Sequence, residues 1–305
     1  MAAPRVAALD CPNCGAAITI RAVQQTQTVV CASCHAVLDS RDQQLSILQQ
    51  YQAKLTWNPD IPLGTRGMLR GDPWEVTGFQ VRSVRQDDAE YFWREYTLWN
   101  PYKGYRYLME YDGHWCDFDM TRAAPPEEVS GRQPFVRYDG QEFRHYRTTT
   151  VTTVYILGEF PWQLRSGDRI TSRDFIAPPR ILSQEISSGS TVWALGNYVP
   201  AEAIWRAFER PGAPPPARGQ FFAEPNILRP RAIRLGKFSG MCAVPIFLAL
   251  LLRHHWAPAR SVFATQTPYV LALIVCALPA AFTAWTASQF ENVRWAGSDY
   301  APEES

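Results

Sequence analysis

Net charge is what this 305-residue chain has least of: 30 Lys and Arg stand against 29 Asp and Glu. A molecule so balanced has no long-range field to draw it to nucleic acid or to an acidic surface. The first residues, MAAPRVAALDCPNC, lack the apolar stretch of a secretory signal, so export is not expected. No GxSxG, P-loop or HExxH occurs, which removes the commonest signatures of serine hydrolases, nucleotide enzymes and zinc proteases. A disulfide framework is also missing. Four of the seven cysteines sit in two CxxC pairs, and Cys116, Cys242 and Cys276 are scattered. That usage suits a reducing compartment in which thiolates hold metal. Charged residues are only 19% of the chain but hydrophobic ones are 46%, a composition that folds. The length allows two domains and a smaller appendage. With 24 Pro and 18 Gly, turns should be many and long helices few.

What is present begins at residue 11. Cys11-Pro-Asn-Cys14-Gly15 and Cys31-Ala-Ser-Cys34-His35 are separated by 16 residues that hold two short strand candidates, ITI and TVV. Each CxxC brings two sulfurs to one ion, and two knuckles complete a tetrahedral S4 site. Residues 1–40 therefore read as a zinc ribbon, with Cys11, Cys14, Cys31 and Cys34 holding a structural Zn2+. His35 stands where Gly15 stands in the first knuckle and is not needed as a ligand, because four thiolates close the site. A redox CxxC would need a βαβ setting that is missing. Nucleic-acid binding is disfavoured, since the ribbon has only Arg5, Arg21 and Arg41 and no aromatic to stack a base. Residues 41–60 read as a linker helix: Ser40 and Gln43 make a capping box, and Leu45, Leu48 and Leu55 recur on one face.

Residues 61–120 form a first β block. Trp74, Val76, Phe79 and Val81 mark a strand whose alternation slips at Gly78, as a bulge requires. Tyr91 to Trp99 is a second strand, Asn100 to Gly104 a turn, and Tyr105 to Tyr111 a third strand. Asp112-Gly113 is a hairpin signal before His114 to Phe118. A polar stretch (121–134) leads to a second β block, 135–209. It holds a hairpin around Asp139-Gly140, a β-branched run from Thr148 to Leu157, and the turn Gly158 to Trp162. Arg180 to Ile186 and Thr191 to Leu195 then flank a Ser/Gly turn. Pro200 suits the first position of a closing helix, Ala201 to Phe208. The blocks share strands and a DG hairpin, so two related halves of a barrel or sandwich are expected. Eleven aromatics lie between Tyr91 and Phe118. They can fill a core or line a groove, and so many rings cannot all face one way. Trp93, Glu95, Trp115, Glu159 and Trp162 are the candidate binding residues.

Residues 210–237 are a proline-rich, then basic, linker. Beyond it Phe238 to Leu252 carries no charge, and neither does Ser261 to Phe290. The second run exceeds the ~20 residues a span needs, while the first falls slightly short unless Lys237 and Arg253 snorkel. Residues 238–290 are thus expected to form two transmembrane helices, with 291–305 as a tail. Arg229, Arg231, Arg234 and Lys237 precede the first span and place that side in the cytoplasm. A multi-pass protein of the cell membrane follows, with its N-terminal bulk and its acidic end on the cytoplasmic side.

The residues Leu63-Gly-Thr-Arg-Gly67, Trp74-Glu-Val-Thr-Gly78, Trp93-Arg-Glu95-Tyr96 and Gly104 to Tyr111 carry a family resemblance. It continues in Gly113-His-Trp115, Gly158-Glu159-Phe-Pro-Trp162, Asp174 to Pro179, Leu182-Ser183-Gln-Glu185, Trp193 to Tyr198 and Arg294 to Tyr300. Together they resemble DUF4178, a bacterial domain of unknown function. The resemblance implies a β-rich intracellular domain, with a zinc ribbon and a membrane tail as common companions, and it brings no activity.

Three functions fit. An interaction or scaffold module at the membrane, with an unidentified protein partner, comes first because the architecture is modular. An enzyme or small-ligand binder would use carboxylates among aromatics, such as Glu95, Glu110, Asp117 and Glu159, with His114 or His145 as acid or base. Without a recognised catalytic setting the enzyme stands behind the module. A nucleic-acid-binding ribbon comes last.

Overall fold

The computed structural model describes residues 7–301 apart from Gln24, Gln43, 51–56, Asp87, 131–132 and 257–261. The chain divides into two units, one ending at Glu224 and one beginning at Pro225.

The ribbon is built from short hairpins that turn on the cysteine knuckles. β1 (Ala7–Asp10) pairs with β2 (Ala17–Ile20), and β3 (Thr28–Val30) pairs with β4 (Val37–Asp39). In the first knuckle the Gly15 N–H donates to the Cys11 carbonyl at 2.8 Å, and in the second the His35 N–H donates to Cys31 at 2.9 Å. Both residues have positive φ, 74° for Gly15 and 58° for His35. Histidine is among the few side chains that enter this region readily, so the second knuckle closes without glycine.

The expected linker helix is corrected. Arg41, Asp42 and Gln44 lie in a turn or bend, and Ile47–Gln49 form β5, paired with β4. Strand pairing wins over the leucine periodicity here. Leu45 takes φ 51° and turns into the ribbon core at 3% exposure instead of joining a helical stripe. Gln43 and Leu55, which completed the helical reading, lie outside the described residues.

The body has two meanders. The first comprises β6 (Arg66–Leu69), β7 (Asp72–Gln86), β8 (Ala89–Asn100), β9 (Gly104–Tyr111) and β10 (His114–Met120). The second comprises β11 (Glu127–Ser130), β12 (Gln133–Tyr138), β13 (Gln141–Phe160), β14 (Arg169–Ala177), β15 (Arg180–Ser187) and β16 (Ser190–Val199). The stretch expected to be plain connection before residue 135 thus contains β11. The slip at Gly78 is a bulge, with the register shifting between Val76 and Gly78. Asp112-Gly113 and Asp139-Gly140 make tight turns with positive φ at both positions, as type I′ turns demand.

β10 pairs with β16 and β7 pairs with β13. The ring β7-β8-β9-β10-β16-β15-β14-β13 therefore closes into an eight-stranded antiparallel barrel made of two four-stranded halves. β13 is longer than the two strands expected in its place, because bulges near Tyr146 and Val154 let one strand run on while changing neighbours.

One contact reveals which face points inward. Arg82 on β7 bonds Glu185 on β15, and these strands are never adjacent in the ring. The contact crosses the lumen. Side chains alternate along a strand, so Gln80, Glu95, Tyr107, Phe118, Asp174 and Ser183 face inward with them. Phe118 lies against Gly196, where an added Cβ would come within 2.5 Å of the ring. The two apolar clusters of the wall that carry most of its large side chains lie on the opposite, outer face. There Phe79, Val81, Tyr96, Leu98, Leu108 and Trp115 are covered by Ile61, Phe208 and helix α1 (Ala201–Ala207). α1 starts at Ala201 as expected, with Pro200 as its N-cap and not its first helical residue, and Phe208 caps its end. Around the other half, Phe175, Leu182 and Trp193 sit beneath Val136 and Phe143.

The second unit contains α2 (Leu228–Trp256) and α3 (Val262–Ala296), of 29 and 35 residues. At 1.5 Å per residue they reach roughly 43 and 52 Å, more than the ~30 Å of a bilayer core. Both are long and apolar enough to cross a membrane. The first is longer than its charge-free run because the helix continues through the flanking arginines. They pack as a hairpin: Asn226 Nδ2 donates to Glu291 Oε1 at 2.8 Å, Ser239 Oγ donates to the Cys276 carbonyl, and Gln266 Nε2 meets His254 Nδ1 at 2.7 Å.

Trp115 is 1% exposed, stacked on Tyr96 at 5.5 Å and edge-on to Trp205 at 5.9 Å. Trp115→Ala should lower the unfolding free energy by about 3–5 kcal/mol, the cost of emptying a large core site. Urea denaturation of the full chain in detergent measures this; an unchanged midpoint would remove Trp115 from the core.

Candidate metal centre and barrel lumen

The four ribbon sulfurs converge. Cys11 Sγ lies 3.7 Å from Cys34 Sγ, and Cys14 Sγ lies 3.7 Å from Cys31 Sγ. All four fall within 4.8 Å of one another. Disulfide sulfurs would be about 2.05 Å apart. A tetrahedron with metal–sulfur bonds of about 2.3 Å has an edge of about 3.8 Å, so this spacing suits an S4 metal site. Burial pushes the Cys31 thiol up, while a hydrogen bond from the Asn13 side chain pulls Cys34 down. A bound divalent cation would hold all four as thiolates. His35 is not among the converging groups.

The ribbon is wired into the barrel by a buried carboxylate. Glu159, 1% exposed, accepts the Arg21 N–H at 2.9 Å, the Ala22 N–H at 3.3 Å and the Thr26 hydroxyl at 3.1 Å. The Arg21 guanidinium lies 3.3 Å away. Burial pushes the Glu159 carboxyl above its usual range, and these donors oppose that rise. β3 also pairs with β13 from Gly158 to Phe160, so the second ribbon hairpin extends the barrel wall. Glu159 is therefore placed at a joint on the outer face and not in the lumen. Trp162 packs at that end against Phe160 and Tyr107, each at 5.7 Å.

Trp93 and Glu95 do reach the lumen. Glu95 accepts from Trp93 Nε1 at 2.7 Å, from Gln80 Nε2 at 2.6 Å and from Arg82 Nη1 at 3.2 Å. Arg82 also holds Glu185, with Nη2 to Oε2 at 3.3 Å. One arginine thus draws two carboxylates from opposite walls. Beside them Ser183 Oγ donates to Asp174 Oδ1 at 2.7 Å, and Arg147 faces Asp174. Gln80 and Arg82 are 3% and 7% exposed, yet Gln80 Oε1, Arg82 Nε and Arg147 Nε have no hydrogen-bond partner among the described residues. Glu185 keeps 35% of its side-chain surface, so this polar layer can be reached by water-sized groups.

The remaining acid–base candidates are dispersed. Glu110 lies on the outer face, accepting the Gly113 N–H at 2.7 Å and lying 3.3 Å from Arg94. Asp117 is also outside, paired with Arg70 at 2.5 Å. His114 sits between the Tyr198 hydroxyl (3.0 Å) and the Arg218 carbonyl (3.2 Å), and His145 meets Thr148 Oγ1 at 2.9 Å. Sequence reasoning did not assign Arg82, Arg147, Asp174 or Glu185 to a site. Their one signal was parity: charged residues interrupt otherwise β-branched alternation on strands that should be buried on both faces.

Asp174 lies deep, and burial pushes its carboxyl above the usual range. A carboxyl with a raised native pKa favours folding most when protonated. That contribution is full below the unfolded value of 3.8 and is lost as pH rises through the native pKa. Asp174→Asn keeps an acceptor for Ser183 and should be more stable than wild type near neutral pH, with little difference near pH 3. Urea midpoints at about pH 3 and pH 7 test the sign; equal differences at both values would refute the assignment.

No curated protein and no solved structure matches the chain. A family match does exist, and it covers the barrel and its approach, ending at the first residue of α1. Residues 62–201 match the family described as Domain of unknown function (DUF4178), so the barrel body of this chain is similar to that family.

Proposed function

We propose that the protein is a membrane-anchored binding protein whose barrel lumen takes a small polar ligand, with the zinc ribbon as a structural closure. The observation that carries this reading is the buried Arg82 bridge between Glu95 and Glu185. It leaves Gln80 Oε1 and Arg82 Nε unpaired beside a carboxylate that solvent can reach. Buried polar atoms are nearly always paired, so such a layer is built for something that donates and accepts hydrogen bonds. A core made only for stability would be apolar at this depth, because burying charges costs several kcal/mol per ion before their attraction is counted. Binding fits better than catalysis. Both reachable carboxylates share one arginine, and His114, on the same face of β10 as Cys116, is bonded to the Tyr198 hydroxyl and the Arg218 carbonyl and not to either of them.

The ion is zinc in this reading, since four thiolates at tetrahedral spacing suit it and leave no open coordination position. The role is structural, for a ribbon this small has little core of its own. The helical hairpin is the anchor. Phe238, Met241, Phe247, Leu252, Leu271, Val275, Phe282 and Trp285 are each at least half exposed, a surface that belongs against lipid. The arginines before the first span support a cytoplasmic side for the barrel in this reading.

Full-length protein in detergent should retain a small molecule from a soluble metabolite extract, identified by native mass spectrometry. Glu185→Gln, which preserves shape, should weaken retention by about tenfold or more. If folded wild-type protein retains nothing, the binding reading falls. Metal analysis should find a single Zn2+ per chain, lost in Cys11→Ser together with protease resistance of the ribbon. Unchanged zinc would contradict the S4 assignment.

A further inference from the structure

One end of the lumen is joined to the ribbon by strand pairing and by the Glu159 anchor. The other end is filled by a different device. The chain leaves α1, crosses a proline-rich stretch and folds back over the barrel rim. There Arg218 N–H donates to the Asp112 carbonyl at 2.8 Å, and Gly113 has no room for a Cβ, which would lie 2.7 Å from Ala217 Cα. Gly219 follows with φ 70° and nothing near its missing Cβ. Phe221, Phe222 and Ala223 then enter the mouth.

Phe221 is 3% exposed and stacks on His114 at 5.6 Å. With Ala223 it buries Cys116 and Ile181, two inward-facing residues of β10 and β15. Phe222 stacks on Tyr146 at 4.9 Å, and the Arg147 guanidinium lies 5.7 Å from its ring. The insert therefore reaches the edge of the polar layer. It does so without strand pairing: 219–224 belong to no strand, so aromatic contacts do the work that ladder hydrogen bonds do at the ribbon end. Three residues, 225–227, connect this insert to α2, which gives it a short covalent link to the apolar hairpin.

We infer that Phe221–Ala223 is a displaceable plug, a gate that swings on Gly219 and opens the lumen beside Cys116 and Arg147. The inference deepens the binding reading and rests on it for its purpose, though not for its test. A segment packed by its rings and outside the strand ladder, beside a glycine with open space around it, opens locally at lower free energy than the closed sheet around it. A ligand that enters by this mouth and the plug then compete for the same apolar ring, so each weakens the other.

Cys116 is a built-in reporter, since it is fully buried under the plug and burial keeps it a thiol. Full-length protein in phosphatidylcholine vesicles is treated with N-ethylmaleimide, and labelling is read peptide by peptide. Hydrogen exchange of β7 and β8 amides reports global opening in the same samples. Cys116 of wild type should label faster than global opening allows. Phe221→Ala should raise its rate on the order of a hundredfold, the effect of deleting a buried ring from a local contact, with β7 exchange unchanged. The more conservative Phe222→Leu should give a smaller rise. If Cys116 labels only in step with β7 exchange in every variant, the segment is permanent core and the gate is refuted. Because labelling needs no ligand, a gate can be refuted while Glu185-dependent retention stands, and retention can fail while the gate stands.

Discussion

β13 runs for 20 residues, and the rest of the first unit depends on its changes of neighbour. Its first part pairs with β12 and β14, its middle with β7, and its end with β3 of the ribbon. The β7 pairing closes the barrel and removes two free sheet edges that would otherwise invite association. The β3 pairing welds the second cysteine hairpin to the wall. Both follow from bulges that bend the strand without ending it. A continuous β-branched run from Thr148 to Val154 supplies the stiffness between them.

Closure sets an unusual division of surfaces. In a small barrel the lumen is the natural place for apolar side chains, but here the larger apolar cluster packs outward beneath α1 and Ile61, and only the ends of the lumen, around Ile156 and around Cys116 and Ile181, are apolar. The lumen keeps Arg82, Glu95, Glu185, Asp174 and Arg147. A buried ion pair is a weak source of stability and a strong source of specificity for geometry. The outer core can bear that burden because Phe79, Tyr96, Leu98, Leu108 and Trp115 are almost wholly removed from water. An exterior core thus frees the interior for polar work.

The ribbon and the barrel support each other by unlike means. Four converging cysteine sulfurs gather the knuckles, while Glu159 gathers backbone donors from the turn at Arg21 and Ala22. These donors lie at the end of a hairpin and would be unpaired without the carboxylate, which is why a buried acid is tolerated there. The helical hairpin follows a different rule. Many of its large apolar side chains are exposed, and its internal ties are polar side chains meeting backbone carbonyls or one another, as in helix pairs of membrane proteins.

The sequence by itself determined what is local. The cysteine knuckles, the two Asp-Gly turns, the bulge at Gly78 and the apolar helices each depend on residues within a few positions of one another. Their chemistry leaves few alternatives. Tertiary structure decided the rest. Strand alternation separates Glu95 from Tyr96 and Trp93 from Arg94, but it does not say which set faces inward. That sign comes from Arg82 meeting Glu185, 103 residues away, once the barrel has closed. The same closure sends Trp115 to the outer core and Trp93 to the lumen, although both stand in similar aromatic surroundings. It also turns Ile47–Gln49 into a strand, because a free edge on β4 offers backbone partners that an isolated leucine stripe does not. Period and propensity are properties of a segment, whereas inside and outside are properties of the closed surface.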